Sequence, residues 1–108
     1  MFGELKKPQS KYIWTAHSQY KMRQYRLSES LVKRVIRFPA RVEESIVEDT
    51  IAVMRPAQSK NYSEIWAMYA PTKDKKLRII TTWRYPGKSP ERDPIPQDIL
   101  NEVRSILF

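Results

Sequence analysis

The chain contains a single histidine, His17, four positions before Lys21. On a helix that spacing puts both side chains on one face, and Gln24 continues it. An imidazole exchanges a proton near neutral pH, and an ammonium beside it can hold an anion. Two arginines, Arg78 and Arg84, stand at even positions of the strand-like run Lys76–Tyr85. A guanidinium grips phosphate through two parallel hydrogen bonds. Glu64 is the one acid inside the run Ser63–Ala70, where it can act as a base or tether an arginine. These residue types suit metal-free cleavage of RNA, whose 2′-hydroxyl is a nucleophile already beside the phosphate. A base removes the 2′ proton, an acid protonates the leaving 5′ oxygen, and cations stabilise the charge that builds on phosphorus. His17, Lys21, Glu64 and Arg84 are therefore the candidate catalytic residues.

Each has a plainer reading beside it. His17 can be an ordinary half-buried hydrogen-bonder at a helix start. The two arginines can pair with Glu64 or with the acidic segment 43–49. Trp66 and Tyr69 can stack a base or simply cover the sheet.

Composition narrows the chemistry further. The chain has 108 residues and no cysteine, which excludes disulfides, iron–sulfur clusters and a cysteine nucleophile. One histidine makes the common zinc sites a poor fit. No Walker A motif, dinucleotide fingerprint or nucleophile elbow is present, so the expected cofactor is none and the expected metal is none. No apolar run approaches the roughly 20 residues of a membrane span, and the first ten residues lack a signal-like apolar stretch. The expected compartment is the cytoplasm.

The 20 Lys and Arg against 12 Asp and Glu give a net charge of +8. Its distribution is uneven. Residues 1–41 hold ten basic and two acidic side chains, residues 42–54 hold four acids and no Lys or Arg, and residues 55–108 hold ten basic and six acidic ones. Such segregation favours a polyanion-binding face, with a solvated helix pair as the alternative. Candidate nucleic-acid contacts are Arg23, Lys33, Arg34, Arg37, Arg78, Lys88 and Arg92.

The elements that must position these residues can be read in order. Residues 1–10 form a loose arm, and residues 11–108 a single domain. Lys11 to Trp14 is extended. Thr15 caps a helix running to about Arg26, and Ser28 caps a second, because each hydroxyl can accept an orphan N–H of the first turn. Leu31, Val32, Val35 and Ile36 line the second helix's apolar side, and Pro39 ends it. Four strands follow: Val42–Val47, Thr50–Arg55, Ser63–Ala70 and Lys76–Tyr85. Their short connections join only antiparallel neighbours. Alternation places Leu77, Ile79, Thr81, Trp83 and Tyr85 on one face of the last strand, with Arg78, Ile80, Thr82 and Arg84 on the other. The four prolines of 86–96 make a stiff loop. Pro96 opens a final helix whose apolar side is Ile99, Leu100, Val103, Ile106 and Leu107. The expected fold is α+β: two N-terminal helices, a four-stranded antiparallel sheet and a C-terminal helix.

This order resembles the small RelE-type toxins, and more widely the barnase–EndoU–colicin–RelE group of metal-independent RNA-cleaving folds. The opening is similar to an uncharacterised subfamily of that group, through His17, Met22, Leu27-Ser28 and Pro39. The resemblance spans about residues 13–86. It implies a metal-independent endoribonuclease acting on mRNA at the ribosome or on tRNA, with RNA or the ribosome as partner and an acidic antitoxin protein covering the basic face. It also implies His17 as acid or base and Arg84 as phosphate clamp, converging with Lys21 and Arg78 on one concave face. A non-catalytic nucleic-acid- or ribosome-binding module, or a protein-interaction domain, are the alternatives.

Overall fold

The structure, a computed structural model, describes residues 11–45 and 47–107, with Leu107 by its backbone alone. The arm expected over residues 1–10 and the side chain of Leu107 lie outside the described residues. The elements are β1 (Tyr12–Trp14), α1 (Ala16–Tyr25), α2 (Glu29–Arg37), β2 (Arg41–Glu44), β3 (Ile51–Pro56), β4 (Ser63–Pro71), β5 (Leu77–Pro86) and α3 (Gln97–Leu107). The α+β class and the helix order stand as read from the sequence. The sheet does not: it has five strands in the order β1-β5-β4-β3-β2, and β1 pairs with β5 in parallel. The extended segment 12–14 is thus a true strand, and the sheet is mixed. The first antiparallel strand is also shorter than expected. It ends at Glu44, while Val47 is buried in the core from within the turn.

Both N-terminal helices start where their hydroxyl caps dictate. Thr15 Oγ1 accepts from Ser18 N–H at 3.1 Å, and Ser28 Oγ accepts from Leu31 N–H at 3.1 Å. α1 ends on Arg26, which adopts a left-handed conformation (φ 56°) usually left to glycine. Leu27 N–H then reaches back to Met22 O at 2.8 Å and closes the turn.

The sheet buries a cluster on each face. On one side Met22, Leu27, Val32, Val35 and Ile36 from α1, α2 and the turn between them meet Val53, Ile65, Ala67 and Ile79. On the other, Ile99, Leu100 and Val103 from α3 meet Met54, Trp66, Met68, Ile80 and Trp83. The Trp66 and Trp83 rings stack at 5.5 Å between centroids. Tyr25 packs against both clusters, so α1 lies where the two layers meet. Ile106, expected on the apolar side of α3, is 46% exposed.

One irregularity reorders the last strand. Met68 pairs with Thr81 and Tyr69 with Ile79, leaving Ile80 as an extra residue on β5. A bulge of this kind reverses which residues face which side beyond it. Leu77 and Ile79 therefore pack with the α2-side cluster, whereas Ile80 and Trp83 pack with the α3-side cluster. The single-face alternation expected along 77–85 is broken at Ile80. Thr15 Oγ1 donates to Ile79 O at 2.7 Å, tying the start of α1 to this point. Among the described residues, no helix is long and apolar enough to cross a membrane.

Candidate nucleic-acid interface

The bulge separates the two arginines that alternation had placed together. Arg84 pairs across β4 with Ile65 and shares its α2-side face, while Arg78 pairs with Ala70, which packs on the α3 side. Neither meets Glu64 or the acidic hairpin. The Arg84 guanidinium donates to Tyr25 O, the last carbonyl of α1, at 3.3 Å. Arg78 is exposed, with the Asp74 carboxylate as its electrostatic neighbour.

What Arg84 does join is a cleft of about 340 Å³ on the α2 side, between α2, β3, β5 and the loop after β3. Arg34, Arg55 and Arg84 line it, together with Leu31, Ile65 and the 56–59 segment. No carboxylate is among its walls. Arg55 Nη1 donates to Phe38 O at 2.6 Å, so Arg55 closes the end of α2 as Arg84 closes the end of α1. Each guanidinium has five N–H donors, and one bond to a carbonyl leaves most of them for an anion. The carbonyl ends of the helices favour a cation there, which fixes both side chains at the cleft. Arg55 was absent from the sequence-derived candidates. Its position at the end of β3 carries no local signal, since its partner, Phe38, belongs to another element.

Arg34 also borders a shallow exposed recess with Lys33, Arg37 and one acid, Glu29, so the α2 contacts expected from sequence continue outward from the cleft. Arg37 lies over the Phe38 ring at 5.5 Å and Lys33 over Tyr12 at 5.3 Å. Arg23 borders a separate groove at the end of α1. Lys88 and Arg92 are exposed on the 87–96 loop. A further recess of about 470 Å³ is lined by Glu44 and Asp49, whose charge is wrong for phosphate.

His17 and Lys21 do share a face, but they turn it toward α3. Lys21 Nζ sits 3.3 Å from Glu102 Oε2 and 5.2 Å over the Tyr25 ring. His17 Nε2 is 3.6 Å from the same carboxylate oxygen, just beyond hydrogen-bond reach, and is buried without a bonded partner. Lys21 is only 3% exposed, so its ammonium is a counterion for Glu102 and has no open path to a phosphate. His17 lies in the first turn of α1 and Arg84 is bonded at the last residue. Eight residues of helix separate those ends by about 12 Å. His17, Lys21, Arg78 and Arg84 thus do not converge on one face. Glu102, the group that organises His17 and Lys21, was not singled out from the sequence because its partners are some eighty residues away.

Glu64 has a different task. It is 2% exposed, and Oε1 accepts from Ser89 Oγ at 2.6 Å and from Trp66 Nε1 at 3.0 Å. Ser89 N–H adds a bond to Oε1, and Tyr62 donates to Oε2. Burial alone would raise its pKa, but these donors outweigh it and hold the carboxyl below the ordinary value. A carboxylate so satisfied is a poor base. It anchors the 87–96 loop, helped by Arg41, which donates to Ser89 Oγ, Pro90 O and Glu91 O. Arg41 also pairs with Glu43 at 2.7 Å. Trp66 is wholly buried and Tyr69 packs in the α2-side cluster, so neither offers a face for a base.

Among the described residues, no three His, Asp or Glu side chains gather as a metal-binding cluster. Comparison with family models, curated proteins and solved structures gave no match.

Proposed function

We propose that this protein is an RNA-binding module whose phosphate site is the Arg34–Arg55–Arg84 cleft. The observation that carries the reading is three guanidinium groups from three elements around one recess without a carboxylate on its walls. Arginine stays charged at any physiological pH, so these groups clamp phosphodiester oxygens rather than move protons. The basic side of α2 extends the same surface through Lys33 and Arg37, and the net charge of +8 speeds encounter with a polyanion. The absence of an imidazole or free carboxylate from the cleft favours binding over cleavage.

A second reading rests on the His17–Glu102 approach. An imidazole beside a carboxylate is the pairing that orients a general base, and with the RelE-type resemblance it supports an endoribonuclease cutting by 2′-hydroxyl attack. One experiment separates the two. Labelled RNA is incubated with the protein, and both anisotropy and strand length are followed, for wild type and for His17→Ala. The module reading expects bound, intact RNA and no effect of His17→Ala. Cleavage that disappears in His17→Ala would replace it with the endoribonuclease reading. Failure to bind RNA at low salt would refute both.

A further inference from the structure

We propose that β2 is a self-pairing edge, through which two copies of the chain join by antiparallel addition of β2 to β2, centred on Val42. β2 ends the sheet order and has a strand neighbour, β3, on one side only. Ser45 N–H donates to Thr50 O, and the same register pairs Arg41 with Met54 and Glu43 with Ala52. In an antiparallel ladder, inward-bonded residues alternate with outward-directed ones. The backbone groups of Arg41 and Glu43 thus face β3, and those of Val42 and Glu44 face outward. Val42 is 59% exposed and belongs to neither core cluster.

Charge selects the partner and the register. Arg41 and Glu43 share the α3-side face, since their β3 partners Met54 and Ala52 pack in that cluster. Within one copy Arg41 already pairs with Glu43 at 2.7 Å; with Val42 opposite Val42 of the second copy, Arg41 falls opposite Glu43 of the second copy, so the two intrachain pairs lie side by side in opposite order. Opposite charges facing each other across strands attract, and like charges repel. Shifting the centre to Glu43 would set Glu43 against itself. A slip of one residue would turn every side chain to the wrong face. The edge strand is therefore complementary to itself in one register.

The pairing is a two-fold one that uses the same patch on both copies, so it closes at a dimer and does not propagate. This inference stands apart from the RNA-binding reading, because the arginine cleft and the β2 edge share no residue.

Sedimentation of the full chain over a concentration series tests it, with Val42→Lys and Val42→Glu as variants. Both change an exposed side chain outside the cores, and near-UV circular dichroism checks that the stacked Trp66 and Trp83 are intact. Wild type should show a monomer–dimer equilibrium. Each variant alone should self-associate at least about tenfold more weakly, because two like charges then face each other at the centre. An equimolar mixture should regain the dimer as a Lys–Glu heterodimer. A wild type that stays monomeric up to its solubility limit would overturn the proposal. So would variants that dimerise as well as wild type, or a mixture that does not.

Discussion

At the scale of the residue, the same side-chain types serve opposite ends. Lys21 and Glu64 are ionisable groups withdrawn from solvent and used to hold structure, whereas Arg34, Arg55 and Arg84 keep donors free at a cleft. Glu64 makes a pH prediction. Burial pushes its carboxyl up, and the bonds from Ser89, Trp66 and Tyr62 bring it below the ordinary 4.5. A folded-state value below the unfolded one means that its contribution is present above about pH 4.5 and is lost as pH falls through the lowered value. Glu64→Gln should therefore be less stable than wild type near neutral pH by about 1.5–3 kcal/mol, the range for a hydrogen bond to a charged group. The gap between the two proteins should narrow on acidification through the carboxylate range. Urea unfolding at a series of pH values measures it, and a gap that is constant or widens toward acid would show that the charge of Glu64 is not what holds the loop.

At the scale of the element, α3 is held by apolar packing on one side and by Glu102 on the other. Removing Glu102 strands the Lys21 ammonium in a site that is 3% exposed. Glu102→Ala should cost about 1–3 kcal/mol in urea unfolding. Adding Lys21→Met to it should recover most of the loss, because a buried charge without its partner is worse than no charge. The left-handed Arg26 is a second strained point. Arg26→Gly should stabilise the protein by about 0.5–1 kcal/mol in the same assay, since glycine adopts that conformation without a Cβ clash.

Elements with a local signature were legible. The hydroxyl caps at Thr15 and Ser28, the apolar stripe of α2 and the β-branched runs of β3, β4 and β5 are written in neighbouring residues. Two features were not: the parallel pairing of β1 and the bulge in β5. β1 is three residues long and pairs with a strand more than sixty positions away. The bulge at Ile80 follows from packing on both faces of β5, and no glycine or proline marks it. As a result the site was half legible: Arg34 and Arg84 were named, but Arg84 was grouped with Arg78 and His17, while its true neighbour Arg55 went unmarked. Glu64 stood out as an acid in a strand, yet its donors come from Tyr62, Trp66 and a loop serine.

At the scale of the whole molecule, the +8 balance resolves into a basic α2 side with an arginine cleft, an acidic turn at the other end of β3, and an α3 side that carries Arg78 with Asp74 as its electrostatic neighbour. If three guanidinium groups displace counterions from single-stranded RNA, the logarithm of the binding constant should fall with the logarithm of salt at a slope of about −2. A slope near zero would mean that phosphate is not what the surface holds. The most direct test of the central claim compares Arg84→Ala with Arg78→Ala in RNA anisotropy at one fixed salt concentration. Both remove one positive charge from the same strand, but from opposite faces of the sheet. Arg84→Ala should weaken binding by about tenfold, and Arg78→Ala by no more than about twofold. Equal losses from the two, or a loss confined to Arg78→Ala, would contradict the assignment of the cleft as the RNA site.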